Sequence, residues 1–255
     1  MIKELIKKHG KDKMNTLTKY PSILTLHKIG EKGKLTDELT TPISGKILKA
    51  TEKIDGTNVR IIVYGNEYLF GSREFILHHS HDLYYDQAQG IVEAIKNLKV
   101  YIPVTEKLTV IYGELFGGKV SANSKYYGQD KLAFRVFDIS EYDSLSILDK
   151  SQAEISKWRE TETSDGIIYG QNFLTHSQIK TKFSEYDLVP SIDFELGKDF
   201  SHLAILEKLR TSIPFTKVSL SDNATKKSEG IVLRDEYRQT IVKLRFEDYE
   251  RTLKK

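Results

Sequence analysis

Thr51-Glu52-Lys53-Ile54-Asp55-Gly56-Thr57-Asn58-Val59-Arg60 is the stretch on which the reading of this chain turns. Upstream runs Ile47-Leu48-Lys49-Ala50 and downstream the β-rich Val59-Arg60-Ile61-Ile62-Val63-Tyr64, with Asp55-Gly56 between them as a strong tight-turn signal. Lys53 therefore ends a strand. With an ordinary pKa of about 10.4, its amine is protonated at neutral pH and a poor nucleophile unless neighbouring cations or a bound metal lower that value. Taken alone, Lys53-Ile54-Asp55-Gly56 reads first as a solvated strand end before a turn.

The chain of 255 residues is long enough to bury a substantial core, and we expect one domain over 1–255 with residues 1–19 as a basic N-terminal extension. It has no cysteine, which excludes disulfides and thiolate metal sites. No run approaches the roughly 20 apolar residues of a membrane span, and the N-terminus lacks a signal-peptide core, so we expect a cytoplasmic protein with no membrane partner. A net charge of +3 is too mild to argue nucleic-acid binding. Local clusters at Lys3 to Lys19, Lys226-Lys227 and Arg251 to Lys255 could track a phosphate backbone, but each taken singly reads first as solvated surface charge.

Residues 1–19 read as a short helix ending near His9-Gly10 and a polar connection, and Glu31 to Pro42 as a loop. Val59 to Tyr64 and Tyr68 to Arg73 make a hairpin across Gly65-Asn66 that returns Arg73 towards Lys53. His78, His79 and His81 have no tidy metal-ligand spacing. Asp82 to Val100 has helical apolar spacing, and Leu108 to Phe116 is a buried strand stopping at Gly117-Gly118 and carrying Glu114. In the strand Leu132 to Ile139, Phe134 and Phe137 lie three apart and point to opposite faces. Further helices are expected at Asp149 to Thr161, from the capping box Thr175 to Gln178 as far as Tyr186, and at Ser201 to Arg210. Glu229 to Leu233 and Thr240 to Phe246 form a final antiparallel pair. Lys243 and Arg245 then share one face, which faces either an anion or solvent.

Lys53-Ile54-Asp55-Gly56-Thr57-Asn58, Tyr112 to Gly117, Phe134 to Ile139, Ser228 to Arg234 and Ile241 to Phe246 together resemble the ordered motifs of the covalent nucleotidyltransferases, the ATP-dependent ligases and capping enzymes. Lys19-Tyr20-Pro21-Ser22 and the Lys-x-Asp-Gly-Thr-Asn form are most similar to the RNA ligase 2 family. The resemblance spans about Tyr20 to Phe246.

It implies a mixed α+β nucleotidyltransferase (ATP-grasp-like ligase) domain, with two antiparallel sheets around an ATP cleft and helices outside. The implied activity is ATP-dependent joining of RNA 5′-phosphate and 3′-hydroxyl ends, as in RNA repair, through lysyl-AMP on Lys53. Lys243 and Arg245 are expected to balance phosphate charge, although the family usually has Lys-x-Lys where this chain has Arg245. The resemblance assigns Glu114 to the ribose, Phe137 to stacking on the purine, and Mg2+ or Mn2+ to Glu229 and Asp138. It places the Glu52 backbone at the adenine edge and Asp55 and Asn58 around the nucleophile. Arg73 meets the phosphates or the RNA end, and Tyr20 belongs to the RNA-facing surface or, as an aromatic, to the core. A DNA ligase or capping-type guanylyltransferase would share this chemistry, but both normally continue into an OB-fold domain, and only Phe246 to Lys255 follow Arg245. A basic RNA-binding module with an inactive pocket is the non-enzymatic alternative. No protein partner is indicated.

Overall fold

The computed structural model describes residues 1–43, 46–79, 90–163 and 166–254. Among these, the chain runs through α1 (Ile2–His9), α2 (Lys11–Thr18), β1 (Leu24–Thr25), β2 (His27–Ile29), β3 (Leu35–Leu39), β4 (Lys49–Lys53) and β5 (Thr57–Gly65). It continues with β6 (Glu67–Ser72), β7 (Ile76–His79), α3 (Ile91–Asn97), β8 (Thr105–Gly117), β9 (Leu132–Tyr142), α4 (Gln152–Arg159), β10 (Thr161–Thr163) and β11 (Gly166–Ile168). The last elements are α5 (His176–Lys182), β12 (Ser191–Ile192), α6 (His202–Ser212), β13 (Gly230–Arg234), β14 (Ile241–Arg245) and α7 (Phe246–Leu253).

The architecture is mixed α+β, built on two five-stranded sheets, β1-β14-β13-β4-β12 and β7-β6-β5-β8-β9. Pairing within them is antiparallel except that β1 runs parallel to β14, a departure from the purely antiparallel expectation. Two small hairpins, β2-β3 and β10-β11, stand apart.

β5 and β8 read as continuous apolar runs because their sheet is covered on both faces. Ile61, Val63 and Ile111 pack with Ile91 and Ile95 of α3 and Ile179 of α5. Ile62, Val110 and Tyr112 pack on the other side with Ile2, Met14, Leu17 and Ile155. The first sheet is covered differently. Ala50, Ile231, Leu233, Val242 and Leu244 pack under α6 and α7, while Thr51, Lys53, Val232, Arg234, Ile241 and Lys243 alternate with them and line a cleft.

The N-terminal segment is no loose extension. In place of the polar connection, α2 packs Met14 and Leu17 fully into the core, each worth about 1.5–3 kcal/mol. Its threonines tolerate the helix because the Thr16 and Thr18 hydroxyls donate to the Asp12 and Met14 carbonyls. Glu31 to Pro42 likewise contains β3, paired with β2, rather than loop alone. α5 stops at Lys182, short of Tyr186, and the charged end of the chain forms α7, which buries Phe246 and Tyr249. The helix expected over 82–100 is described only as α3, and His81 lies outside the described residues. Among the described residues no helix is long and apolar enough to cross a membrane.

Arg60 ties α2 to its sheet. The side chain is fully buried and donates to the Ser72 carbonyl (3.0 Å), the Asn15 carbonyl (2.8 Å), the Thr18 hydroxyl (2.9 Å) and the Asn15 side-chain oxygen. Burial lowers its pKa to about 10, which still leaves it charged at neutral pH. Replacing Arg60 by Ala orphans these acceptors and opens a cavity, so we expect a loss of about 3–5 kcal/mol in urea denaturation. A loss below about 1 kcal/mol would mean that α2 is held by its apolar face alone.

Candidate active site

Lys53 is the last residue of β4 and Thr57 the first of β5, yet the two strands belong to different sheets. Asp55-Gly56 thus carries the chain across from one sheet to the other and does not fold β4 back as a hairpin. Packing fixes the crossing. Ile54 is buried with Phe116, Tyr127, Val189 and Val218. The Asp55 N–H donates to the Tyr127 hydroxyl (2.7 Å), and Asn123 Nδ2 donates to Asp55 Oδ2 (2.6 Å). A Cβ on Gly56 would lie 2.2 Å from the Leu115 carbonyl oxygen, so only glycine fits.

The crossing opens into a cleft of about 360 Å³ whose lining includes Tyr20, Glu52, Lys53, Asp55, Asn58, Arg73, Glu114, Phe137, Asp138, Glu229 and Lys243. Cross-strand register explains the convergence. Lys53 lies opposite Gly230, Thr51 opposite Val232, and Val232 opposite Lys243. From the second sheet, Asn58 stands opposite Glu114. Lys53 Nζ donates to Glu229 Oε2 at 2.8 Å, and the Asn58 side-chain oxygen is buried with no hydrogen-bond partner.

Three carboxylates crowd this amine. Burial pushes Glu114 up from 4.5 to about 8, with Lys53 opposing and the Glu229 and Asp55 charges reinforcing the rise. Burial also raises Glu229, against the pull of Lys53. Lys243 is lowered by burial, then by Arg245 and Lys53. The site therefore sets cations and carboxylates side by side in a poorly hydrated space, where phosphate charge is readily balanced. All these side chains offer nitrogen or oxygen, and among the described residues no three His, Asp or Glu side chains form a metal cluster of their own.

Phe137 and Asp138 face the cleft together although adjacent in sequence. The β8–β9 register shifts between Tyr112, opposite Asp138, and Gly113, opposite Val136, which leaves Phe137 as the extra residue of a β-bulge. Phe134 packs into the core beneath α3, the opposite side, as its spacing predicts. Tyr20 serves both of its expected environments: its ring packs edge-on against Phe137 at 4.9 Å within the core, and it also lines the cleft.

Three of the expected site residues have partners within the protein. Both oxygens of Asp138 are engaged, Oδ1 by Arg234 and Oδ2 by Arg238 (2.9 Å) and the Tyr20 hydroxyl (2.7 Å), so Asp138 holds these three side chains together. The Glu52 N–H donates to the Pro190 carbonyl (2.9 Å), because β4 is an interior strand. Its buried carboxylate accepts from the Thr216 hydroxyl and the Lys217 N–H (2.9 Å). Arg245 grips Asp248 with two hydrogen bonds (2.8 and 2.7 Å) and does not line the cleft, whereas Lys243 does. Arg73 stands exposed at the rim.

Sequence reasoning missed Arg234, Arg238 and Tyr127. Arg234 closes the Ser228 to Arg234 motif and was visible there, but Arg238 sits at φ 58 in a turn, caged by Phe173 (3.9 Å), Tyr169 (4.6 Å) and Tyr20 (4.9 Å), contacts that no local pattern announces.

A sequence model of the family described as RNA ligase matches residues 47–254. No curated protein matches the chain. Among solved structures it is similar to Naegleria gruberi RNA ligase. An apo mutant is 16% identical, with TM-score 0.49, over 92% of this chain and 57% of that one. The form with PPi is 15% identical, with TM-score 0.46, over 92% and 64%. A mutant with ATP and Mn is 16% identical, with TM-score 0.46, over 95% and 63%. The chain thus spans less than two thirds of the length of these structures.

The Glu114 shift has a measurable sign. Between about pH 4.5 and 8 the folded chain keeps a proton on Glu114 that the unfolded chain has lost, so stability falls as pH rises through that window. Glu114→Gln abolishes this contribution. Chemical denaturation from pH 5 to 8.5 should show the variant gaining on the wild type as pH rises, and parallel profiles would place an ionised Glu114 in the folded cleft.

Proposed function

The chain belongs to the RNA ligase family, and on that premise we propose that it is an ATP-dependent RNA ligase that works through a covalent adenylate on Lys53. The observation that carries this reading is one amine at a strand end, in a cleft that also holds Glu114, Glu229, Lys243 and an inward-facing Phe137. We read residues 1–255 as a single adenylyltransferase unit of the nucleotidyltransferase type.

In the first step the Lys53 amine, having released its proton, attacks the α-phosphorus of ATP. A P–N bond forms, the bond to the bridging oxygen breaks, and pyrophosphate leaves. A 5′-phosphate oxygen of RNA then attacks the same phosphorus, the P–N bond breaks, and Lys53 recovers its proton. Finally a 3′-hydroxyl attacks the activated 5′-phosphate and loses its proton to water; the new P–O bond makes the phosphodiester, the bond to the AMP oxygen breaks, and AMP leaves.

Lys243 offsets charge on the phosphates in this scheme, since its ammonium lines the cleft beside Lys53. Phe137 stacks on the purine from the bulge in β9, and Glu114, protonated up to about pH 8, can both donate to and accept from ribose hydroxyls. Arg73 at the rim meets phosphates or the RNA end, and Tyr20 lines the same cleft. Glu229, with Asp55, offers the few hard oxygen donors that suit Mg2+ or Mn2+, ions that take the rest of their coordination from water and substrate phosphates. Such an ion would supply charge neutralisation at the triphosphate. Arg245 positions the end of β14 through Asp248 rather than touching phosphate.

Incubation with labelled ATP or GTP and a divalent cation, followed by a denaturing gel and then by 5′-phosphorylated RNA, tests the scheme. Label from ATP should remain with the protein and pass to RNA. Label only from GTP would indicate a capping-type guanylyltransferase, and none from either a non-catalytic binder.

Single-turnover rates separate the two cations of β14. Lys243→Ala should slow adenylylation by about 3 kcal/mol, on the order of a hundredfold. Arg245→Ala should instead lower stability by about 1–2 kcal/mol with only a small change in rate. The reverse ranking would mean that Arg245 leaves Asp248 when ATP binds.

A further inference from the structure

Two loops beside the cleft carry charge that the ligase chemistry does not use. Residues 119–131 and 215–228 contain six lysines against two aspartates, a larger surplus than the +3 of the whole chain. Main-chain hydrogen bonds knit them together: Thr225 N–H to the Lys125 carbonyl (2.9 Å), Lys226 N–H to the Tyr126 carbonyl (3.1 Å) and Leu220 N–H to the Tyr127 carbonyl (2.7 Å). Lys226 adopts φ 57, a left-handed conformation rare for a lysine, as the second loop turns back towards Glu229.

The side chains combine charge with aromatic surface. Lys125 and Lys227, both exposed, hold their ammonium groups 6.0 and 5.8 Å from the Tyr126 ring centroid. Phe215, which bridges to Lys227 across the loop, exposes 62% of its surface, and Lys217 and Lys226 are also exposed. An exposed phenylalanine among lysines is poorly explained by folding, since it gains little from burial and the lysines repel one another. Rows of cations track a phosphodiester backbone, and open rings receive unpaired bases; the two together suit a single-stranded nucleic acid.

The platform is also joined to the cleft. Tyr127, next to Tyr126, accepts the Asp55 N–H, and Lys227 precedes Glu229 by two residues. We propose that these two loops form a docking platform for an unpaired RNA strand, with Lys125, Lys226 and Lys227 on phosphates and Phe215 under a base, so that the strand end is led to Lys53. This deepens the ligase reading and rests on it for the identity of the strand as RNA.

The test is fluorescence anisotropy of the full chain with a labelled, 5′-phosphorylated single-stranded RNA over a range of salt, with label transfer from ATP measured on the same preparations. Replacing Lys125, Lys226 and Lys227 by Ser should weaken binding at least tenfold and flatten the dependence of log affinity on log salt by about 2, at roughly 0.7 per phosphate contact. Phe215→Ala should weaken binding without changing that slope. Adenylylation should stay at the wild-type level in both. Unchanged RNA affinity in both variants, or no measurable binding by the wild type, overturns the platform. Lysine-dependent RNA binding by a chain that takes no label from ATP keeps the platform and overturns the ligase reading.

Discussion

The passage of the chain from one sheet to the other within Ile54-Asp55-Gly56 is the constraint on which the cleft depends. A strand that ended in a hairpin would return Lys53 to its own sheet and leave the amine on a surface. Here β4 ends where the second sheet begins, so the amine must lie between the two. The crossing is held by contacts that do not involve the amine itself: Tyr127 and Asn123 on Asp55, the Leu115 carbonyl against Gly56, and Ile54 in the core. Lys53 is therefore placed by backbone geometry, and its amine pairs with Glu229 without holding the crossing.

Charge balance is the second organising feature. Buried carboxylates and cations are each costly alone, and the cleft keeps both by setting Lys53 against Glu229 and by holding Glu114 protonated up to about pH 8. In the wall of the cleft, Asp138 is neutralised by Arg234 and Arg238, and Arg238 is enclosed by three aromatic rings. That cluster fixes the Tyr20 hydroxyl and with it the ring that packs on Phe137, so the shape of the cleft depends on an ion network in its own wall.

Much of this was legible in the sequence. Apolar runs at Val59 to Tyr64 and Leu108 to Phe116 marked the central strands, and the capping box at Thr175 set one helix start. The gathering of Lys53, Glu114, Glu229 and Lys243 was implied by the resemblance alone, since Lys53 ends β4 and Glu229 precedes β13 whereas Glu114 and Lys243 lie within β8 and β14. Less visible were features that depend on tertiary context. α2 looked polar because its threonines satisfy themselves inside the helix, and α7 looked like a charged tail because only Phe246, Asp248 and Tyr249 turn inward. Strand periodicity put Arg245 beside Lys243 correctly, but it could not foresee Asp248 one helical turn later. Nor could it foresee that a bulge would bring Phe137 and Asp138 to the same side, or that two arginines would claim the carboxylate of Asp138.

The central claim is that Lys53 is the nucleophile, and tandem mass spectrometry of the chain after incubation with ATP and a divalent cation addresses it most directly. A single AMP on the Lys53 side-chain nitrogen is the predicted result. AMP on Lys243 or another lysine, with Lys53 unmodified, would contradict it.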